Sequence, residues 1–178
     1  KKKNIILIED AAESIGTKYT EGKLKNKHTG TIGDIGIISF NGNKLISTGG
    51  GGAILTNKRN LMIKARHIIN QAKTDSINFY HDEIGFNFKY TNLQSAIGIA
   101  QINKIHRFIK IKNKIYNIYK KEFLNSQSVN FIAENKFSQN NNWINVIRFS
   151  SKIKKKRINK LILELKKKNI YVKKVWYP

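Results

Sequence analysis

Short unbroken apolar runs open the chain, and segments with apolar residues every three or four positions follow them. Ile5-Ile6-Leu7-Ile8 is the pattern of a strand buried on both faces in a parallel sheet, and it stops abruptly at Glu9-Asp10. Residues 11–16 predict a brief helical turn closed by Gly16. The polar stretch 20–31, with Gly22 and Gly30, predicts a loop. Residues 35–40 predict a second buried strand, 41–52 with its five glycines an irregular loop, and 53–56 a third strand.

Helical spacing then takes over. Leu61, Ala65, Ile68 and Ile69 predict a helix over 60–71. Leu93, Ile97, Ala100, Ile105, Phe108, Ile115 and Tyr119 predict the longest helical stretch, 91–124. Residues 125–142 are polar and rich in asparagine, the pattern of a linker or domain junction. A strand (143–149), a helix (156–168) and a strand (170–176) are expected after it, with a domain boundary near 110–125. A chain that opens at Lys1 and stops at Trp176-Tyr177-Pro178 reads as a piece of something longer.

Composition narrows the classes. Apolar residues make up 40% of the 178, which is globular and not disordered. The absence of cysteine excludes disulfides and thiolate zinc sites. No apolar run has membrane-spanning length, and Glu9 and Asp10 interrupt what would be a signal peptide's core. A cytoplasmic protein without a membrane partner is expected. The net charge of +23 invites a nucleic-acid reading. Yet the lysines are spread along the chain, with tight clusters only at 152–157 and 166–168, and no nucleic-acid motif accompanies them. Nucleic-acid binding is therefore not expected as the primary function.

The candidate chemistry gathers at strand ends. Asp10 ends one buried strand, Ser39 closes the next, and Lys44 follows five residues later in a glycine-rich loop. Ligands of open α/β sheets bind beyond the carboxyl ends of the strands, so the three can face one crevice. A lysine there can form a Schiff base with an aldehyde cofactor, a carboxylate can keep a pyridinium nitrogen protonated, and a serine with backbone N–H groups suits a phosphate. Spacing alone also fits a solvated surface lysine beside a tight turn. Gly42-Asn43-Lys44 is not a Walker A loop, since no glycine precedes the lysine and Leu45 replaces Ser or Thr. His28, His67, His81 and His106 lack tight metal-ligand spacing, so no metal site is expected.

Three ordered blocks sharpen the picture: residues 8–16 (Ile-Glu-Asp-Ala-Ala-Glu-Ser-Ile-Gly), residues 33–44 continuing to Thr48–Thr56, and residues 85–98 from Gly85-Phe86-Asn87 to Gly98. Together they resemble the DegT/StrS family of nucleotide-sugar aminotransferases of fold type I over most of 4–120. The resemblance implies an α/β fold: part of a three-layer α/β/α large domain with a mostly parallel sheet in 1–120, including a long connecting helix, and the start of a small α+β domain in 121–178. It implies pyridoxal 5'-phosphate carried by Lys44, Asp10 against the pyridine nitrogen, Glu13 near the ring hydroxyl, and Ser39 at the phosphate. Asn87 corresponds to an asparagine donated across a homodimer interface. The implied activity is transamination of a 4-keto nucleotide sugar for surface glycan synthesis, with glutamate as donor. Phe40-Asn41-Gly42-Asn43-Lys44 leans toward UDP-linked sugars such as the N-acetylbacillosamine precursor.

The sequence departs from the family in three places. The family's chains are about twice as long, so part of the cofactor pocket is not among these residues. Residues 19–28 read as an exposed basic insertion. Lys173-Lys174 stands where the family has arginine, and lysine lacks arginine's bidentate fork. A second reading therefore stands beside the first: a truncated, catalytically silent form of such an enzyme.

Overall fold

The computed structural model describes residues 5–75, 77–133 and 135–176. They fall into two compact units, one drawn from Lys1–Asn113 and Glu134–Trp143, the other from Lys114–Ala133 and Ile144–Pro178.

The first unit is organised by a three-stranded sheet in the order β1 (Ile8–Asp10), β3 (Ile35–Ser39), β4 (Gly52–Leu55). β1 and β3 run parallel, with Ile8 opposite Ile35 and Asp10 opposite Ile37; β4 returns antiparallel to β3. Two carboxylates fix this arrangement. Glu9 accepts the backbone N–H groups of Gly30 (3.0 Å), Ile32 and Gly33 (both 2.6 Å), and so holds the loop before β3 against β1. Asp34, 8% exposed, accepts the N–H of Leu7 at 2.9 Å and pairs with Lys58 at 2.6 Å. Gly36 has to be glycine, because a Cβ there would overlap the carbonyl of Gly30.

Strand β2 (Lys18–Tyr19) pairs antiparallel with β8 (Ser138–Gln139), and a 3-10 turn (Gly22–Leu24) lies in the exposed segment after β2. Helix α1 (Arg59–Ile69) is followed by a hairpin of β5 (Lys73–Asp75) and β6 (Tyr80–His81). Helix α2 (Asn92–Ile102) starts at a reciprocal cap: Thr91 accepts from the Gln94 N–H while the Gln94 side chain reaches back to the Thr91 backbone. The second unit takes α3 (Ile105–Phe123) from Lys114 onward. It packs Tyr116, Tyr119 and Phe123 of that helix against Phe131 of β7 (Val129–Phe131), with centroids 5.1–6.4 Å apart. β7 pairs antiparallel with β9 (Ile147–Phe149), and α4 (Lys155–Lys167) ends on Asn169 at φ 59°, a left-handed cap.

Several expectations need correction. The apolar run before Glu9 is not a strand buried on both faces. Only Ile8 joins β1, and Ile5, Ile6, Leu7 and Ile8 are each more than half exposed. β1 is an edge strand, and no layer among the described residues covers that run. Residues 11–16 make two successive turns, Ser14 N–H to Ala11 C=O and Thr17 N–H to Ser14 C=O, and not a helix. The long helix is two, interrupted at Asn103-Lys104, where a poor helix former sits. The asparagine-rich segment is no free linker: it contributes β7 and β8, and Asn141 and Asn142 are buried. Residues 170–176 form no strand, because no described strand pairs with them; the Ile170 N–H instead closes α4 on Leu165 C=O. Lys1–Asn4, Tyr177 and Pro178, which entered the reading of the chain's ends, lie outside the described residues.

Replacing Glu9 by alanine leaves three backbone donors without their charged acceptor. Urea unfolding is expected to show a loss of about 3 kcal/mol with the denaturant slope unchanged. A Glu9→Ala variant within 0.5 kcal/mol of the parent (about the spread of ordinary surface substitutions) would remove this carboxylate from its place in the fold.

Candidate active site

Lys44 sits in the loop joining β3 to β4, and that loop is tied from several sides. Ile46, 2% exposed, anchors it in the core. The Ser39 hydroxyl accepts the Asn41 N–H at 3.3 Å, the Asn41 carbonyl accepts the Lys44 N–H at 3.0 Å, and Thr48 N–H returns to Phe40 C=O at 3.0 Å. Gln101 of α2 clasps Ser47 with its amide, accepting the Ser47 N–H at 2.9 Å and donating to the Ser47 carbonyl. Tyr90 donates to Gly50 C=O at 3.0 Å and stands 2.7 Å from the Thr48 hydroxyl, with its ring edge-on to Phe40. Gly51, at φ 78°, leaves room for that phenol; a Cβ would come within 2.6 Å of its oxygen. A lysine side chain is ordinarily free. This one is 12% exposed.

The ammonium of Lys44 is bracketed. Glu13 Oε1 lies 3.0 Å from Nζ on one side, and the Trp143 ring centroid lies 4.4 Å away on another. Glu13 reaches it from the double turn after β1. The same turn begins with Asp10, whose Oδ1 accepts the Ala12 N–H at 3.1 Å; its Oδ2 has no hydrogen-bond partner among the described residues. Asp10 and Ser39 end adjacent parallel strands, so both lie at the carboxyl edge of the sheet. Lys44, Glu13, Asp10 and Ser39 thus share one end of the first unit. Asn87 does not join them through any hydrogen bond among the described residues. It runs antiparallel beside Asn70 at the end of α1, in a segment where Phe86 N–H bonds Ile68 C=O and Phe88 N–H bonds Ile69 C=O.

The donor set suits pyridoxal phosphate on its chemistry: an amine held within a salt bridge, an exposed carboxylate with one oxygen to spare, and a hydroxyl at the head of the lysine loop. Trp143 and Asn141 are contacts the sequence reading missed. Nothing in the local pattern of an asparagine-rich stretch signals a packing role, since the partners are about 100 residues or more away.

A second cluster lies near Asn87. His67 Nε2 is 2.6 Å from Asp82 Oδ1 and 3.4 Å from Glu83 Oε1, and Glu83 pairs with Lys64 at 2.5 Å. The three acid and imidazole groups stand close enough to share an ion, a proximity the spacing of the histidines does not signal. Lys64 already supplies a cation to Glu83. The hydrogen bond from His67 chiefly holds the Asp82 carboxyl below its ordinary value. His28 is likewise held below its ordinary value, by partial burial first and then by Lys18 and His106.

A carboxyl with a lowered pKa contributes stability that is complete above the unfolded value and lost as pH falls through the folded one. The Asp82 contribution is therefore present above the ordinary 3.8 and disappears below it. Carboxyl chemical shifts followed by NMR are expected to give Asp82 a midpoint under 3.8, returning to about that value in His67→Ala. An unchanged midpoint in the variant would show that His67 is not the cause.

The sequence profile of the DegT/DnrJ/EryC1/StrS aminotransferase family matches residues 1–178. The chain is 34% identical over 97% of its length to EpsN of Bacillus subtilis, named as a candidate pyridoxal phosphate-dependent aminotransferase, and covers 42% of that protein. It is 43% identical over 68% of its length to the GDP-perosamine synthase of Escherichia coli O157:H7, covering 32% of it. Among solved structures, the aminotransferase TlmJ from Streptoalloteichus hindustanus superposes on 99% of the chain with a TM-score of 0.85 at 17% identity, and the chain covers 46% of it. The chain thus spans less than half the length of these relatives, and its α/β architecture is part of a fold type I aminotransferase. It belongs to the DegT/DnrJ/EryC1/StrS aminotransferase family.

Proposed function

We propose that this chain carries the lysine half of a pyridoxal-phosphate site in an enzyme that transfers an amino group to a 4-keto nucleotide sugar. The observation that supports this most directly is the Lys44–Glu13 pair at 3.0 Å, next to Asp10 at the edge of the sheet. In this reading 1–120 belongs to a large cofactor-binding domain and 121–178 to the start of a small one. The relatives' names support nucleotide-sugar chemistry.

When bound, pyridoxal phosphate supplies an aldehyde for the amine and an electron sink for the carbon that loses a proton. The protein's own residues do the rest. Lys44 would hold the cofactor through Nζ and would serve as the base that moves a proton. Glu13 holds that amine in place. Asp10 would offer its spare oxygen to a ring nitrogen and would favour the protonated form of that nitrogen. The Ser39 hydroxyl would contact the phosphate. Asn87, remote from Lys44 in its own chain's hydrogen bonding, serves the site of a second copy in a homodimer. Glutamate is the amino donor and a UDP-linked keto-sugar such as the N-acetylbacillosamine precursor the acceptor, in the cytoplasm, for surface-polysaccharide synthesis. Among the described residues no helix is long and apolar enough to cross a membrane.

Incubation with pyridoxal phosphate followed by borohydride is expected to leave a reduced pyridoxyl group on the Lys44 peptide, and none in Lys44→Ala. A wild-type digest without that adduct would sink the reading and favour a catalytically silent chain. For the acceptor, amino-sugar formation read by mass spectrometry from UDP- and GDP-linked 4-keto sugars should favour the UDP sugar by at least about tenfold, a difference of about 1.4 kcal/mol in transition-state binding. The GDP-perosamine synthase relative names the competing outcome.

A further inference from the structure

Residues 141–143 have no part in the mechanism above, yet they grip both members of the Lys44–Glu13 pair. Asn141, 5% exposed, donates through Nδ2 to the carbonyls of Glu13 (2.9 Å) and Ile15 (3.0 Å). Its own N–H reaches the Thr17 hydroxyl at 3.2 Å, and its Oδ1 accepts the Trp143 N–H at 3.0 Å. Trp143 then donates through Nε1 to the Asn43 carbonyl at 2.6 Å, one residue before Lys44. Its ring stands over Nζ. Behind it, Lys112 donates to the Trp143 carbonyl at 3.2 Å, and Asn142 is held by Asn113 at 2.9 Å.

Three constraints therefore meet on one flexible side chain. The indole N–H ties the ring to the loop that carries the lysine, so ring and amine keep a common frame. The ring face attracts the ammonium, and the Glu13 carboxylate completes the clasp. Asn141 couples the position of that carboxylate's own turn to the same short segment. We propose that Trp143, supported by Asn141, is a positioning residue that sets where the Lys44 amine stands; the inference rests on Lys44 being the reacting amine.

Lys44 reactivity reads this without any cofactor. The chain is treated briefly with an acetylating N-hydroxysuccinimide ester, and acetylation of Lys44 is compared with that of Lys58, which is paired with Asp34 away from the loop. Trp143→Leu is expected to raise Lys44 labelling about fivefold, the factor an interaction of this kind is worth, with Lys58 unchanged. Trp143→Phe keeps an aromatic face and should rise only about twofold. In a Trp176→Phe background, Lys44→Met should also shift the emission of Trp143.

Lys44 labelling equal to wild type in both variants overturns the proposal. So does a Lys44→Met spectrum identical to its parent. If Lys58 rises with Lys44 in the leucine variant, the fold has opened, and Trp143→Phe decides: a rise confined to Lys44 supports the proposal, and none rejects it. Borohydride trapping that fails in the wild type while this pattern holds would remove the cofactor reading and leave Trp143 as the residue that orients the amine.

Discussion

The Glu9 carboxylate is the fastening on which the first unit depends. By taking three N–H groups from residues 30–33, it converts a glycine-bearing loop into a rigid lead-in to β3. The register of β1 against β3 follows, and with it the side-by-side ending of the two strands. A one-residue slip would exchange the faces of Glu9 and Asp10, losing the fastening and turning Asp10 away together. Charged hydrogen bonds of this kind are strong and directional, which an apolar contact is not. The fastening carboxylate and Asp10 are thus adjacent in sequence and on opposite faces of the strand.

The lysine loop solves a different problem. Five glycines make a segment that is costly to order, and regular secondary structure does not hold it. Instead a buried isoleucine, a clasping glutamine from α2 and a tyrosine phenol each satisfy backbone or hydroxyl groups of the loop. Tyr90 and Gln101 flank the start and end of α2, so the segment beginning at Gly85 acts within its own chain as the loop's buttress.

Much of this was legible in the residues. β3, β4, α1 and α4 announce themselves by apolar runs or helical spacing. The resemblance put Lys44 and Glu13 around one cofactor, with Glu13 at the ring hydroxyl; it gave no sign of the ion pair between the two side chains. Other features were hidden for identifiable reasons. Lys73–Asp75 and Tyr80–His81 form a hairpin without apolar alternation, so nothing marks them as strands. Ile5 to Ile8 carry the signal of burial but lie on an edge that these residues leave uncovered. Asn141 and Asn142 look like linker, since composition does not reveal a polar side chain whose partners lie far away in the chain.

That separation has a consequence for how the chain folds. The contact between Trp143 and Asn43 closes a loop of 100 residues, and Asn141 meets Glu13 across 128. Contacts of such range form late, since the entropy of closing the loop precedes any gain from the contact. During synthesis the glycine loop would emerge before the asparagine-rich segment and wait for the contacts from Asn141 and Trp143. The indole side of the clasp on the amine therefore forms late, after the Glu13 side is already within reach.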